Sequence, residues 1–138
     1  MNIKLLFITC LLPFMGICQT EDSTKVNKTF VQAETLTANT EAIKLIKKYC
    51  EILKDTPDNE DIIFKRGLLY IATKEYKNAK SDFDTLVKLE GDEIGKAYFY
   101  RGLSQLLLYE TISGCEDISK AKELGYETDS NLDLMCNY

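Results

Sequence analysis

Five cysteines and no histidine set the limits on the chemistry open to this chain. Without an imidazole there is no Ser-His or Cys-His pair to make a nucleophile at neutral pH. The sequence has no Cys-x2-Cys pair and no glycine-rich phosphate cradle. Asp82 and Asp84 stand two residues apart in helix-patterned sequence. At that spacing they point to different sides of a helix, so a solvated face is expected rather than an acid–base pair. The acidic stretch from Asp55 to Asp61 lacks the glycine and the closing glutamate of a calcium loop. The expectation is a non-catalytic chain that needs no metal and no cofactor.

The first 18 residues read as an export signal. Lys4 supplies the positive charge, and Leu5 to Ile17 is an apolar run broken by Thr9, Cys10, Pro13 and Gly16. That run is too short for a membrane-spanning helix, which needs about 20 residues, but it suits a signal h-region. Gly16 and Cys18 fit the positions before a cut between Cys18 and Gln19. Lipid attachment at Cys18 is the alternative, and Ile17 argues against it because a lipobox wants a small side chain there. The expected location is periplasmic or secreted, with a lipid-anchored envelope form as the alternative. Removing residues 1–18 takes one lysine and no acid, leaving 16 bases, 22 acids and a net charge of −6. No basic run of five or more appears, so neither nucleic acid nor an anionic membrane surface is an expected partner.

Cysteine chemistry then reduces to Cys50, Cys115 and Cys136. An oxidising compartment permits a disulfide. Cys115 lies nine residues before Leu124 and Cys136 eight after Thr128. On two antiparallel helices those separations are about 13 and about 12 Å, which brings the sulfurs level. A Cys115–Cys136 bridge is the favoured reading, and two reduced, buried thiols are the alternative. Cys50 has no partner at comparable spacing and reads as a small core residue.

The elements that would position these groups are helical. Residues 19–29 are polar and read as a flexible leader. Phe30, Ala33 and Leu36 hint at a short first helix. Ala42, Ile43, Leu45, Ile46, Tyr49, Ile52 and Leu53 give an amphipathic helix whose wet side carries Lys44, Lys47, Lys48, Glu51 and Lys54. Pro57 stops it, and Asp58 or Asn59 can cap the next. Helices are expected at Ile62–Ala72, Tyr76–Leu89, Ala97–Tyr109, Ile112–Leu124 and Asp129–Cys136. Ser113 and Glu116 have capping-box spacing, Gly91 ends the first hairpin, and Gly125 ends the second.

An internal echo runs through this pattern. Arg66-Gly67-Leu68 returns as Arg101-Gly102-Leu103, Ala79 as Gly114, Asp82 as Asp117, Phe83 as Ile118 and Leu89 as Leu124, each displaced by 35 residues. A fixed period of this length marks an array of stacked helical hairpins. Ile63-x2-Arg66-Gly67-x2-Tyr70, then Ala79-x3-Phe83, resembles the tetratricopeptide repeat, with Gly91 where proline is usual. The second copy is Tyr98-x2-Arg101-Gly102-x2-Gln105, then Gly114-x3-Ile118, and Tyr49, Ile52, Leu53 and Pro57 match part of a degenerate earlier copy. The 35-residue step in place of 34 suggests an added linker residue near Gly95.

The resemblance, to a short secreted bacterial protein of the tetratricopeptide family, implies an all-α fold. Antiparallel helical hairpins would stack as a short α-solenoid closed by a C-terminal capping helix. The chain divides into a signal peptide (1–18), the leader (19–29) and a helical domain (30–138). That domain comprises a degenerate repeat (30–59), repeats 60–93 and 95–127, and a capping helix (128–138). Gly67 and Gly102 would let paired helices approach closely. The resemblance further implies a groove lined by the first helix of each hairpin, showing Asp61, Phe64, Leu68, Ile71, Lys96, Phe99, Leu103 and Leu106. The lysines and asparagines by which chaperone-binding members clamp a carboxylate are replaced here by Phe64, Leu68, Phe99 and Leu103. The expected function is a scaffold of the cell envelope that binds a peptide or protein. A self-associating or lipid-anchored structural component is the alternative.

Overall fold

The computed structural model describes the backbone of residues 23–128 and 130–136, and the side chains of residues 37–128, 132 and 134–136. The expected signal peptide, the lipidation candidate Cys18 and the first residues of the leader lie outside the described residues. The chain divides into two compact units at Leu36/Thr37. Of the first unit, only the helical backbone from Ser23 is described.

Six helices and no strand occur among the described residues: α1 (Ser23–Asp55), α2 (Glu60–Ala72), α3 (Tyr76–Leu89), α4 (Ile94–Leu107), α5 (Thr111–Glu123) and α6 (Ser130–Cys136). One difference from expectation is α1. It begins inside the expected leader and runs unbroken through the expected gap between two helices. The cause is visible in the composition: residues 19–56 contain neither glycine nor proline, so nothing interrupts helix propagation until Pro57. No described helix is long and apolar enough to cross a membrane.

Consecutive helices from α2 to α5 pack in sequence order. The links α2–α3 and α4–α5 are three residues long, so each pair must fold back on itself as a hairpin. The period read in the sequence holds at the two hairpin links. Ala72 and Leu107, the last residues of α2 and α4, are 35 apart, as are Tyr76 and Thr111, the first residues of α3 and α5. Lys74 and Tyr109 both adopt φ 63°, and Glu90 (φ 51°) is matched by Gly125 (φ 82°). After each left-handed residue in the hairpin links the next amide closes the helix end: Glu75 N donates to Tyr70 O at 2.7 Å and Glu110 N to Gln105 O at 2.9 Å. This six-to-one bond is the Schellman closure, used twice at the same place in the repeat.

Several local expectations resolve at this level. Asn59 is the cap of α2, its Oδ1 accepting from Ile62 N at 3.1 Å. The Ser113/Glu116 capping box does not form, because α5 already begins at Thr111 and Ser113 Oγ donates to Glu110 O instead. The left-handed residue ending α3 is Glu90 rather than Gly91. Gly95 is no linker residue: it is buried inside α4, where a Cβ would stand 3.2 Å from Leu124 Cβ.

The core between the hairpins is built from Ile63, Ala79, Phe83, Leu86 and Ala97, with Leu53 of α1 and Tyr70 and Tyr100 packed against it. Phe83 is fully buried, stacks on Tyr100 with centroids 5.5 Å apart, and meets Phe64 edge-on at 5.8 Å. Such ring pairs add about 1 kcal/mol each beyond their burial. Gly67 lies against the Phe83 ring, whose Cζ would be 2.7 Å from an added Cβ. At Gly102 the obstacle is backbone: a Cβ would come within 2.7 Å of Gly114 O. The smaller Ile118 replaces Phe83 in this hairpin, and the two backbones close the difference.

Candidate partner-binding face

Two arginine–aspartate forks hold the helices whose faces could meet a partner. Arg66 of α2 donates from Nε to Asp82 Oδ2 at 2.9 Å and from Nη2 to Asp82 Oδ1 at 2.6 Å. Arg101 of α4 repeats this on Asp117, at 2.7 Å from Nε and 2.8 Å from Nη2. Both aspartates are buried, at 5% and 7% exposure. The expectation that Asp82 lies on a solvated helix face is therefore wrong. Asp82 points inward because its carboxylate is neutralised and bonded at both oxygens, which offsets the cost of removing it from water. Asp84 does point to another side, yet it too is engaged, accepting from Arg101 Nη1 at 2.8 Å and from Lys88 at 2.9 Å.

The electrostatics follow from these bonds. The hydrogen bond to Asp82 raises the pKa of Arg66, and the bond to Asp117 raises that of Arg101. Asp84 is lowered from its ordinary 3.8, first by Lys88 and then, against partial burial, by Arg101. The third guanidinium nitrogen of Arg66 faces the preceding helix, where Cys50 Sγ accepts at 3.4 Å. Cys50 is thus half-buried beside Arg66 and 3.9 Å from the Tyr70 hydroxyl. Burial, and then Cys50, push the Tyr70 phenol up to about 12. In the second copy Gln105 stands where Tyr70 does. With its amide nitrogen turned inward, it donates to Asp117 Oδ2 at 2.9 Å and Ser113 O at 3.1 Å.

The expected bridge is present: Cys115 and Cys136 are disulfide-bonded, with Cα atoms 5.2 Å apart, joining α6 to α5. Among the described residues no group of cysteines and carboxylates could hold a metal ion.

Of the eight expected groove residues, three come together. Asp61, Phe64 and Lys96 line a cavity of about 350 Å³ between the start of α2 and the α3–α4 link, together with Glu60, Leu86, Gly91, Asp92, Glu93, Ile94 and Ala97. Lys96 Nζ lies 4.2 Å from the Phe64 ring centroid and donates to Glu93 at 2.8 Å. Asp61 is exposed and accepts from Lys65 at 2.6 Å. The other five serve packing in part. Leu68 and Ile71 lie against the core cluster. Phe99 is covered by Tyr126, 4.9 Å between ring centroids. Leu106 fills the space beside Gly114. Leu103 is half-buried on the same helix.

Sequence reasoning missed Glu60, Asp92 and Glu93. Each lies at or beside a helix start, and Glu60 and Ile94, the first residues of α2 and α4, both line the cavity. Gly91 matters here for a different reason than ending a hairpin. The Glu60 carboxylate occupies the space that a Cβ on Gly91 would need. Comparison with known proteins returns no match: no family model, no curated protein and no solved structure is significantly similar to this chain.

Proposed function

We propose that residues 37–138 form a short tetratricopeptide-like interaction module that holds a peptide or protein segment on the face made by α2 and α4. The observation that carries this reading is the 35-residue repetition of hairpin links, left-handed caps and Arg–Asp forks. Repetition of a whole hairpin with its clamps builds a rigid surface in which corresponding helices lie side by side, and such surfaces serve binding rather than bond-making. The cavity around Asp61, Phe64 and Lys96 supplies the concave, partly apolar feature such a face needs. Export to the periplasm or beyond is part of the proposal, supported by residues 1–18 and by a disulfide that an oxidising compartment would maintain.

The test is a pair of substitutions, Asp61→Lys and Leu103→Glu, in the native full chain. Both leave the core cluster and the Arg–Asp forks intact. Co-purification of partners from the envelope should be lost while helical circular dichroism is unchanged; retained binding would place the site elsewhere.

A second reading, self-association, is favoured by a patch on α5 and α6. Ile112 (80% exposed), Leu134 (72%) and Met135 (52%) are exposed near the disulfide, and Ile112 and Met135 line a cavity of about 360 Å³. A mass that rises with concentration in sedimentation equilibrium, abolished by Ile112→Lys, would support it.

A further inference from the structure

The cavity at the start of α2 is charged in one sense. Glu60, Asp61, Asp92 and Glu93 line it, against a single ammonium, that of Lys96. The N-termini of α2 and α4 also open there, each equivalent to about half a positive charge. With the Lys65 ammonium that pairs with Asp61, the balance is about −1. Asp61 and Glu93 have lysine partners, at 2.6 and 2.8 Å. Glu60 and Asp92 have no ion-pair partner among the described residues.

Inside this rim stands a ring held in place. Phe64 is set edge-on against Phe83 and Tyr100, with centroids 5.8 and 5.3 Å away. One of its faces is held by Lys96 Nζ, itself bonded to Glu93. The chain's own ammonium therefore shows what the ring and its neighbouring carboxylate receive: a cation over a π-face with an anion beside it. Lys96 sits at the rim on a flexible four-carbon stem and keeps about 30% of its side chain in solvent, so a second cation can replace it.

Resting on the reading of the α2/α4 face as a docking face, we propose that this cavity takes an arginine side chain of an extended basic peptide, which displaces Lys96 from the Phe64 ring. Arginine suits the site better than lysine. Its planar guanidinium stacks on an aromatic face while its edge donates to carboxylates, and it loses less hydration than an ammonium. Glu60 and Asp92 are the acceptors that the displaced Lys96 leaves unused. An acidic peptide, or an anion attracted by the helix ends, meets four carboxylates and is excluded.

The test uses the full chain, isotopically labelled, titrated with acetyl-Gly-Leu-Arg-Leu-Gly-amide and with the same peptide carrying citrulline, lysine or glutamate in place of arginine. Citrulline keeps the shape and loses the charge. The expected result is chemical-shift change centred on Phe64, Gly91, Asp92 and Lys96, with citrulline at least tenfold weaker, lysine weaker than arginine, and glutamate silent. Lys96→Met should strengthen the arginine peptide several-fold, because the internal competitor is gone. Glu60→Gln with Asp92→Asn should weaken it several-fold at unchanged helical content. Equal binding of citrulline, shifts centred elsewhere, absence of any binding, or a Lys96→Met variant that binds no better would each overturn the proposal. If a native partner still depends on Leu103 while the arginine and citrulline peptides bind alike, this inference fails and the interaction module stands.

Discussion

Arg66 grips Asp82 through both carboxylate oxygens, and 35 residues later Arg101 grips Asp117 in the same way. The two helices of each hairpin are thus tied at one level by a buried, charge-assisted fork. Arg101 reaches further, to Asp84 of the preceding hairpin, so the second fork also joins one repeat to the next.

Removing one member of a fork leaves the other charge without compensation. Asp82→Ala should destabilise the protein by about 3 kcal/mol, read as a lower urea midpoint with an unchanged slope. Arg66→Met combined with Asp82→Leu should cost clearly less than Asp82→Ala alone, since both charges leave together. A single substitution within about 0.5 kcal/mol of wild type would show that the fork is not a structural clamp.

The two close-approach glycines should not be equivalent. Gly67→Ala meets the far edge of the Phe83 ring, which can tilt, whereas Gly102→Ala meets the Gly114 carbonyl, which is fixed in a helix. Overpacking at either costs about 1–3 kcal/mol, and thermal denaturation should rank Gly102→Ala as the worse. The reverse order would mean that the second hairpin is the looser one.

The Cys115–Cys136 disulfide closes a loop with a sequence separation of 21. Chain-entropy reasoning gives it about 3 kcal/mol. The Cys115→Ser/Cys136→Ser variant should unfold at lower urea by that amount. It should also make α6 amides exchange fast while those of α2 and α3 stay protected. Uniform loss of protection would show that the bridge supports the whole fold rather than its end.

Two groups set opposite limits with pH. Tyr70 is raised in the folded state, to about 12 from an ordinary 10. Its stabilising effect is present below about 10 and is lost as pH rises through the folded value. Asp84 is depressed below 3.8, so its effect is present above that value and is lost as pH falls through the folded one. Tyr70→Phe should flatten the alkaline limb of a stability profile, and Asp84→Asn the acid limb. Unchanged limbs would assign the pH dependence to other groups.

Much of this architecture is written locally. The α3 boundaries, the Asn59 cap and the left-handed turn at Gly125 follow from side-chain period and turn chemistry. The Cys115–Cys136 pairing follows from helix rise once the last two helices are taken as antiparallel. The inward turn of Asp82 does not, because one helix cannot reveal which of its polar residues meets an arginine on its neighbour. The echo carried both Arg66 and Asp82 to Arg101 and Asp117, so the pairing was recorded in the repeat, though not in any single segment. The continuity of α1 was missed for another reason: a weak apolar period reads as a gap, while helix propagation needs only the absence of a breaker. At the face itself, Asp61, Phe64 and Lys96 were legible as members of one groove, but Glu60, Asp92 and Glu93, which also line the cavity, border the links between helices.

The most direct measurement is site-specific photo-crosslinking in the native envelope. Benzoylphenylalanine is placed at Asp61 and Lys96 on α2 and α4, and at the exposed Ser81 and Ser119 on α3 and α5. One discrete partner crosslinked from positions 61 and 96, and not from 81 and 119, is the outcome this account predicts. Crosslinks arising only from α3 and α5, or from none of the four positions, would contradict it.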